Sequence, residues 1–466
     1  MKISFHGAAH CVTGSKHLVE IKSGKKILLD CGLFQGGGAD TDSLNRNWGF
    51  EPAEVDALIL SHAHIDHSGL IPKLVKDGFK GNIYCTPATL DLAEVLLYDS
   101  AHIQESDIKF INKKRIVNQL IPLKPLYTTN DVKNAMVNFK PVDYNIMFKL
   151  FDDVSFQFID AGHIVGSATV HVDVIENGKI RKLTFSGDLG RYNTAILNSP
   201  KNFRQADIII CESTYGDKLH DDRSLTSQQL LNAITNTCLH KKGRLIIPAF
   251  SVGRTQEILY ALNQLENENK LPLLDYYVDS PLSTDATLIL KKHKECFNDK
   301  VLKLMKEDKD PFDFKGLEFV LDKTNSQLLN NRKDPLVIIS ASGMADAGRV
   351  KHHIAHAISD PANTILMVGF CEENTLGAKL MRGDKRVRIF GEEYEVKADV
   401  EIIRSFSAHG DYEDISQWLA CQDIKAVEKF FVVHGEYKTQ QHFQTRLLKK
   451  GFAEVIVPTL HQTCLV

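Results

Sequence analysis

The sequence predicts an α/β protein, on three observations. Short β-branched apolar runs recur along its 466 residues. Helical patterns lie between many of them, and strand alternating with helix is the order of that class. Polar, chemically capable side chains gather just past the ends of the apolar runs.

In chain order the runs are KILLD ending at Asp30, DALILS ending at Ser61, SFQFI ending at Ile159, KLTFS ending at Ser186, DIIICE ending at Glu212, RLIIP ending at Pro248, PLVIIS ending at Ser340, TILMVGF ending at Phe370 and FFVVH ending at His434. Each is bounded by turn-forming residues and reads as a strand. TPATLDLAEVLLYDSAH and VGRTQEILYALNQLE read as helices between strands. GGG at 36–38 reads as a short flexible turn, and the lysine-rich stretch 297–316 as a solvated face or loop. No internal repeat or low-complexity segment interrupts this order.

The length exceeds one compact core, so two domains are expected, at about 100–200 residues each. A hydrophobic content of 43% and a charged content of 25% are those of an ordinary soluble protein. No run of 18 apolar residues marks a transmembrane helix, and MKISFHGAAH lacks the pattern of a signal peptide. Nine cysteines stand singly with no CxxC. This points to reduced thiols in a cytoplasmic protein and argues against a four-cysteine zinc site. The formal net charge of −3 gives no bulk support for a nucleic-acid partner and leaves only a local basic cleft.

The chemistry concentrates in SHAHIDHSG, residues 61–69, which holds His62, His64, Asp66 and His67 just past an apolar strand. Packing does not call for four ligand-type side chains there, whereas isolated histidines such as His6, His17 and His171 read as structural. Zinc binds neutral imidazole and carboxylate and, when catalytic, keeps one position open. One metal cannot easily take all four ligands from so short a turn, but two adjacent metals can share them. Further ligands stand at other strand ends: His163 in GHIVGSA, Asp188 in SGDLGR and His434 in VVHGE. The expected sets are His62, His64 and His163 on one zinc and Asp66, His67 and His434 on the other, with Asp188 bridging. Asp30 is the expected partner that holds a ligating histidine by its other N–H. Sites of α/β sheets collect beyond strand C-termini, so these ends point to one shared site. Glu212 and His409 stand at strand ends too, and neither is needed to fill a ligand set. His409 beside Glu212 is a candidate general acid, because a neighbouring carboxylate keeps an imidazole protonated to higher pH.

These residues resemble a known family. SHAHIDHSG, GHIVGSA and SGDLGR look like successive metal motifs of the metallo-β-lactamase superfamily. Glu212 in CESTYG, His409 in FSAHGD and His434 in VVHGE resemble motifs A, B and C of its β-CASP nucleases. GSKHLVE near residue 17 and ENTLGAKL near residue 377 fit as well, with Asn374 where the family usually has glycine. The resemblance is closest to short bacterial members similar to the cleavage-and-polyadenylation endonuclease subunit, with no RNA-binding extension expected before residue 1 or after residue 466. It implies an αββα metallo-β-lactamase domain, residues 1–215 and 400–466, interrupted by an α/β β-CASP domain at 216–399, with the substrate cleft between them. It also implies a zinc-dependent ribonuclease, holding two zinc ions and cutting single-stranded RNA, with Asp66, Glu212 and His409 as catalytic residues. Endonucleolytic and 5′-exonucleolytic cleavage both stay open, as does a homodimer; no membrane partner is expected.

Within the insertion, VIISASGMADAGR reads as strand, glycine turn and helix, with Ser342 and Gly343 at the helix start. IIPAFSVGRTQE repeats the arrangement with Ser251, Gly253 and Arg254. Backbone N–H groups at such a helix start suit an RNA phosphate, and an ordinary helix cap is the competing reading. Other functions compete less well. A thioesterase or glyoxalase-like hydrolase needs neither Glu212 nor His409. A DNA-directed β-CASP nuclease typically has an apolar residue at the position of His434. A non-catalytic RNA-binding scaffold would have lost metal ligands, and here every ligand position is filled.

Overall fold

The structure is a computed structural model and describes residues 1–36, 38–220, 225–369 and 371–466. The chain forms two compact units, Met1–Leu219 with His409–Val466, and His220–Ala408. Residues 400–408, read from sequence as part of the return segment, lie instead in the second unit. Residues 400–402 are part of the strand Asp399–Ile402, which pairs in parallel with Thr364–Met367, and 403–408 follow it.

The first unit has two seven-stranded sheets. In one, Thr463–Leu465, Lys2–Phe5, His17–Glu20 and Lys26–Leu29 pair antiparallel, and Ala57–Ile59, Asn82–Cys85 and Phe139–Pro141 continue in parallel. In the other, Val455–Ile456, Lys429–Val433, Ile208–Glu212 and Lys179–Phe185 run parallel, followed by antiparallel Ala168–Glu176, Val154–Asp160 and Phe148–Phe151.

Side chains alternate across each strand, and this builds the layers. Ile208 and Ile210 join Phe431 and Val433 in a core with Phe5, Val19, Leu29 and Ile59 of the facing sheet. Their neighbours Ile209, Cys211, Phe430 and Val432 point the other way, onto Trp418, Phe443 and Leu447 of the helices Tyr412–Trp418 and Tyr437–Lys450. Strands covered on both faces read as continuous apolar runs, which is why DIIICE and FFVVH were legible.

The second unit has a six-stranded, all-parallel sheet in the order Leu317–Phe319, Asp275–Val278, Leu336–Ser340, Leu245–Pro248, Thr364–Met367, Asp399–Ile402. Its parallel crossovers are helices, among them Arg254–Asn267, Pro281–Lys292, Lys323–Asn331 and Arg349–Ala357. No helix among the described residues is long and apolar enough to cross a membrane.

Three local expectations change. The helix after PLVIIS begins at Arg349, behind Gly348, so Ser342 and Gly343 lie in the preceding turn and not at a helix start. The stretch 297–316 is more than a solvated loop. It contains the helix Asp299–Leu304 and buries Phe297, Val301, Phe312 and Phe314 under its lysines. The run expected to end at Phe370 is a strand only over Thr364–Met367. Phe370 itself, and Gly37 of the GGG turn, lie outside the described residues.

Candidate metal centre

The 61–69 segment leaves the strand Ala57–Ile59 and closes into the short helix Ile65–Ser68. Two neighbouring segments hold it by backbone hydrogen bonds. Cys31 N donates to His67 O at 2.7 Å, Leu33 N to Ile65 O at 2.9 Å and Ser15 N to Asp66 O at 2.8 Å. Gly32 sits at this contact, where a Cβ would stand 1.6 Å from Asp66 O. Only glycine allows that approach.

Asp30 is fully buried, in left-handed backbone at φ 59°. Such a conformation costs a non-glycine residue about 1–3 kcal/mol and persists where the surroundings demand it. Its carboxylate lies 2.6 Å from His67 Nδ1 and accepts from Ser61 N at 2.7 Å and Ser61 Oγ at 2.8 Å. Ser61 Oγ in turn lies 3.0 Å from His62 Nδ1. Because the serine proton goes to Asp30, the serine oxygen is left to accept from His62. His62 therefore carries its proton on Nδ1 and presents a lone pair at Nε2, and Asp30 holds a proton on His67 Nδ1.

Two groups built on the HxHxDH segment result among the described residues, and Glu212 clusters with Asp188 and His434 in a third. His62 Nε2 and His163 Nε2 each approach His64 Nδ1 to 3.2 Å, and they lie 3.5 and 3.6 Å from Asp188 Oδ2. His67 Nε2 and His434 Nε2 approach to 3.2 Å, with Asp66 Oδ2 3.4 Å from His434 Nε2 and Asp188 Oδ1 3.2 Å from His67 Nε2. Asp188 thus turns one oxygen to each group. The loop carrying His163 is held by the start of the helix Pro87–Val117, where the hydroxyls of the capping Thr86 and of Thr89 donate to Gly166 O at 2.7 and 2.8 Å.

The residues fit cations. Both oxygens of Asp188 are buried and accept no hydrogen bond. A buried carboxylate in that state calls for a positive partner. Burial pushes His62 down to about 3, His64 to about 4 and His163 well below its ordinary value, so these imidazoles are neutral with lone pairs available. Burial also disfavours charge on His67, but Asp188, Asp30 and Asp66 outweigh it and hold that ring protonated to high pH. A cation would compete with this proton for the same electrons.

Glu212 ends its strand fully buried. It accepts from Leu189 N at 2.6 Å and Thr214 Oγ1 at 2.6 Å, and both of its oxygens lie 3.3 Å from His409 Nδ1. His409 is held by a bridge to Gly190, and Gly410 N donates to Leu189 O at 2.7 Å. Burial would lower the pKa of His409, but the carboxylates of Glu212 and Asp188 outweigh it and raise it to about 9. Thr214 and Ser61 were not singled out in the sequence, although Thr214 stands two residues after Glu212 and Ser61 directly before His62.

The phosphate candidates belong to the second unit. Ser342 and Ala347 close one turn, and Gly343 packs on Phe250, where a Cβ would come within 2.7 Å of the ring. The turn carrying Ser251 thus lies beside the turn carrying Ser342. Arg254 opens its helix but is buried, paired with Glu257 and stacked over Phe406.

Residues 14–234 match the family model of the metallo-beta-lactamase superfamily, residues 255–380 that of the Beta-Casp domain, and residues 393–458 that of the Zn-dependent metallo-hydrolase RNA specificity domain. The chain is 35% identical over 436 residues to ribonuclease TTHA0252 of Thermus thermophilus, spanning 94% of this chain and 93% of that protein. It is 30% identical over 459 residues to an RNase J-like protein of Methanocaldococcus jannaschii, spanning 98% and 97%. It is 28% identical over 434 residues to the transcription termination factor FttA of Methanosarcina mazei, spanning 91% of this chain and 65% of that protein.

Proposed function

Since the chain belongs to the metallo-β-lactamase superfamily as a β-CASP ribonuclease, a metal-dependent RNA hydrolase, we propose that it cuts single-stranded RNA with two zinc ions. The observation that carries this reading is Asp188, a buried carboxylate with one oxygen facing each of two ligand groups and no hydrogen bond on either. His62, His64 and His163 would hold one ion, and Asp66, His67 and His434 the other. A ligand set of imidazole and carboxylate suits zinc. When bound, two such cations supply a nucleophile from water at neutral pH and offset charge on the phosphodiester.

The chain's own residues do the rest. Asp30 keeps His67 in the tautomer that offers Nε2, and through Ser61 it does the same for His62. Glu212 holds the Nδ1 side of His409. That leaves Nε2 as the nitrogen that would hand a proton to the departing ribose oxygen. Backbone N–H groups of the Ser251 and Ser342–Gly343 turns are proposed to meet RNA phosphates. Arg254, engaged by Glu257, is proposed to shape its turn more than to touch RNA.

The test is to load purified protein with zinc, count bound metal, and offer single-stranded RNA, duplex RNA and single-stranded DNA of one sequence. Two zinc ions per chain and cleavage fastest on single-stranded RNA are expected. Equal cleavage of the DNA, or full activity with one zinc, would overturn the reading. Mapping products from 5′-blocked and unblocked RNA then separates internal from 5′-terminal cleavage.

A further inference from the structure

We infer that Thr214 is a positioning residue: its hydroxyl fixes which nitrogen of His434 faces the Asp66–His67 group and ties that histidine to Glu212. The inference rests on the metal centre read above only for its consequence, since the hydrogen bonding stands on the protein alone.

A threonine hydroxyl has one proton to give. Thr214 Oγ1 lies 2.6 Å from Glu212 Oε2, 3.1 Å from His434 Nδ1 and 3.2 Å from His434 O. The carboxylate is the nearest and strongest acceptor, so the proton goes there. The hydroxyl oxygen is then an acceptor only, and the polar hydrogen it can take is the one on His434 Nδ1. His434 therefore carries its proton on Nδ1 and a lone pair on Nε2. Nε2 is the atom 3.2 Å from His67 Nε2 and 3.4 Å from Asp66 Oδ2.

The backbone does not settle this by itself. His434 N donates to Ala8 O at 2.8 Å, which fixes the left-handed residue at φ 52° but not the ring's tautomer. The two histidines of this group thus have separate supports: Asp30 behind His67 and Thr214 behind His434. The Thr214 hydroxyl also donates to the carboxylate that holds His409, so one side chain orders both halves of the centre.

Thr214→Val keeps the shape and removes the hydroxyl; Thr214→Ser keeps the hydroxyl. Histidine tautomers in metal-free protein are read by long-range 1H–15N correlation spectra, and zinc affinity by competition with a chelator. Wild type and Thr214→Ser should show His434 protonated on Nδ1. Thr214→Val should lose the fixed tautomer and bind its weaker zinc about 10- to 100-fold less tightly, the usual effect of losing an outer partner of a ligating histidine. Thr214→Ser should stay near wild type. An Nε2-protonated His434 in wild type overturns the inference even if the valine variant fails to fold. So does a folded Thr214→Val with unchanged zinc affinity. If wild type shows the Nδ1 tautomer but binds no zinc, the metal reading fails and the Thr214 assignment stands.

Discussion

His409 Nδ1 lies 3.3 Å from both carboxylate oxygens of Glu212, a residue 197 positions earlier in the chain. The pair sits beside the ligand groups without completing either set, His409 Nδ1 standing 3.8 Å from Asp188 Oδ2. This geometry separates the proposed acid from the proposed metal ligands, and the two can be tested apart.

His409→Ala should leave both metals bound while RNA cleavage falls by about 10²- to 10⁴-fold, the usual worth of a positioned acid. A substrate with a better leaving group should recover much of the loss. Metal content and single-turnover rates check this. A folded, fully metallated variant with near-normal cleavage would remove the acid role and leave His409 as a turn residue before the helix Tyr412–Trp418.

Cleavage should also decline on the alkaline side. Burial opposes charge on His409, but Glu212 and Asp188 raise its pKa to about 9. The protonated ring therefore persists through neutral pH and is lost as pH rises through that value. Glu212→Gln removes the larger of the two raising charges, so its alkaline limb should lie at lower pH than that of wild type. The measurement is the pH profile of kcat/KM; an unshifted limb would count against the pair.

Asp188→Asn keeps the side chain's shape and removes its charge. If the residue serves both ligand groups, chelator titration should show both metals weakened, by more than the roughly 10- to 100-fold typical of outer partners. Loss of one metal with the other unaffected would confine Asp188 to one group.

Gly32→Ala places a methyl where Asp66 O already stands, 1.6 Å from the new Cβ. The helix turn carrying Asp66 and His67 must shift. Overpacking of this kind costs about 1–3 kcal/mol. A lower thermal midpoint and reduced metal occupancy are expected together. A variant with unchanged midpoint and metal content would show that the turn can move freely.

The parts of this protein legible in its sequence are those where chemistry and pattern coincide. HxHxDH declares itself because four ligand-type side chains past one apolar strand serve no packing purpose. DIIICE and FFVVH declare themselves because both faces are buried. Ala168–Glu176 forms no continuous apolar run, although it lies between two partners, because Thr169, His171 and Asp173 interrupt it. Ser342 and Gly343 were placed at a helix start because glycine punctuates turns and caps alike. The helix begins instead at Arg349, whose guanidinium donates to Asp279 at 2.7 Å. Asp279 lies 70 residues earlier in the chain, and no local pattern records that pairing. Thr214 and Gly32 were missed for a similar reason: what they do depends on which atoms lie across from them.

The division of the first unit has a consequence for how the enzyme is made. His434 meets His67 across 367 residues, and the strand that ends at Glu212 pairs with Lys429–Val433, supplied only after the whole second unit. Translation therefore produces His62, His64, His163 and Asp188 before the second unit, and His409 and His434 only after it. A nascent chain that stops before His409 lacks both the proposed acid and the His434 of the proposed ligand set. Closing so long an excursion is entropically mild once the intervening unit has folded and shortened the gap. An RNA-cutting protein born on a messenger is thus unarmed until its own message has been read past the whole second unit.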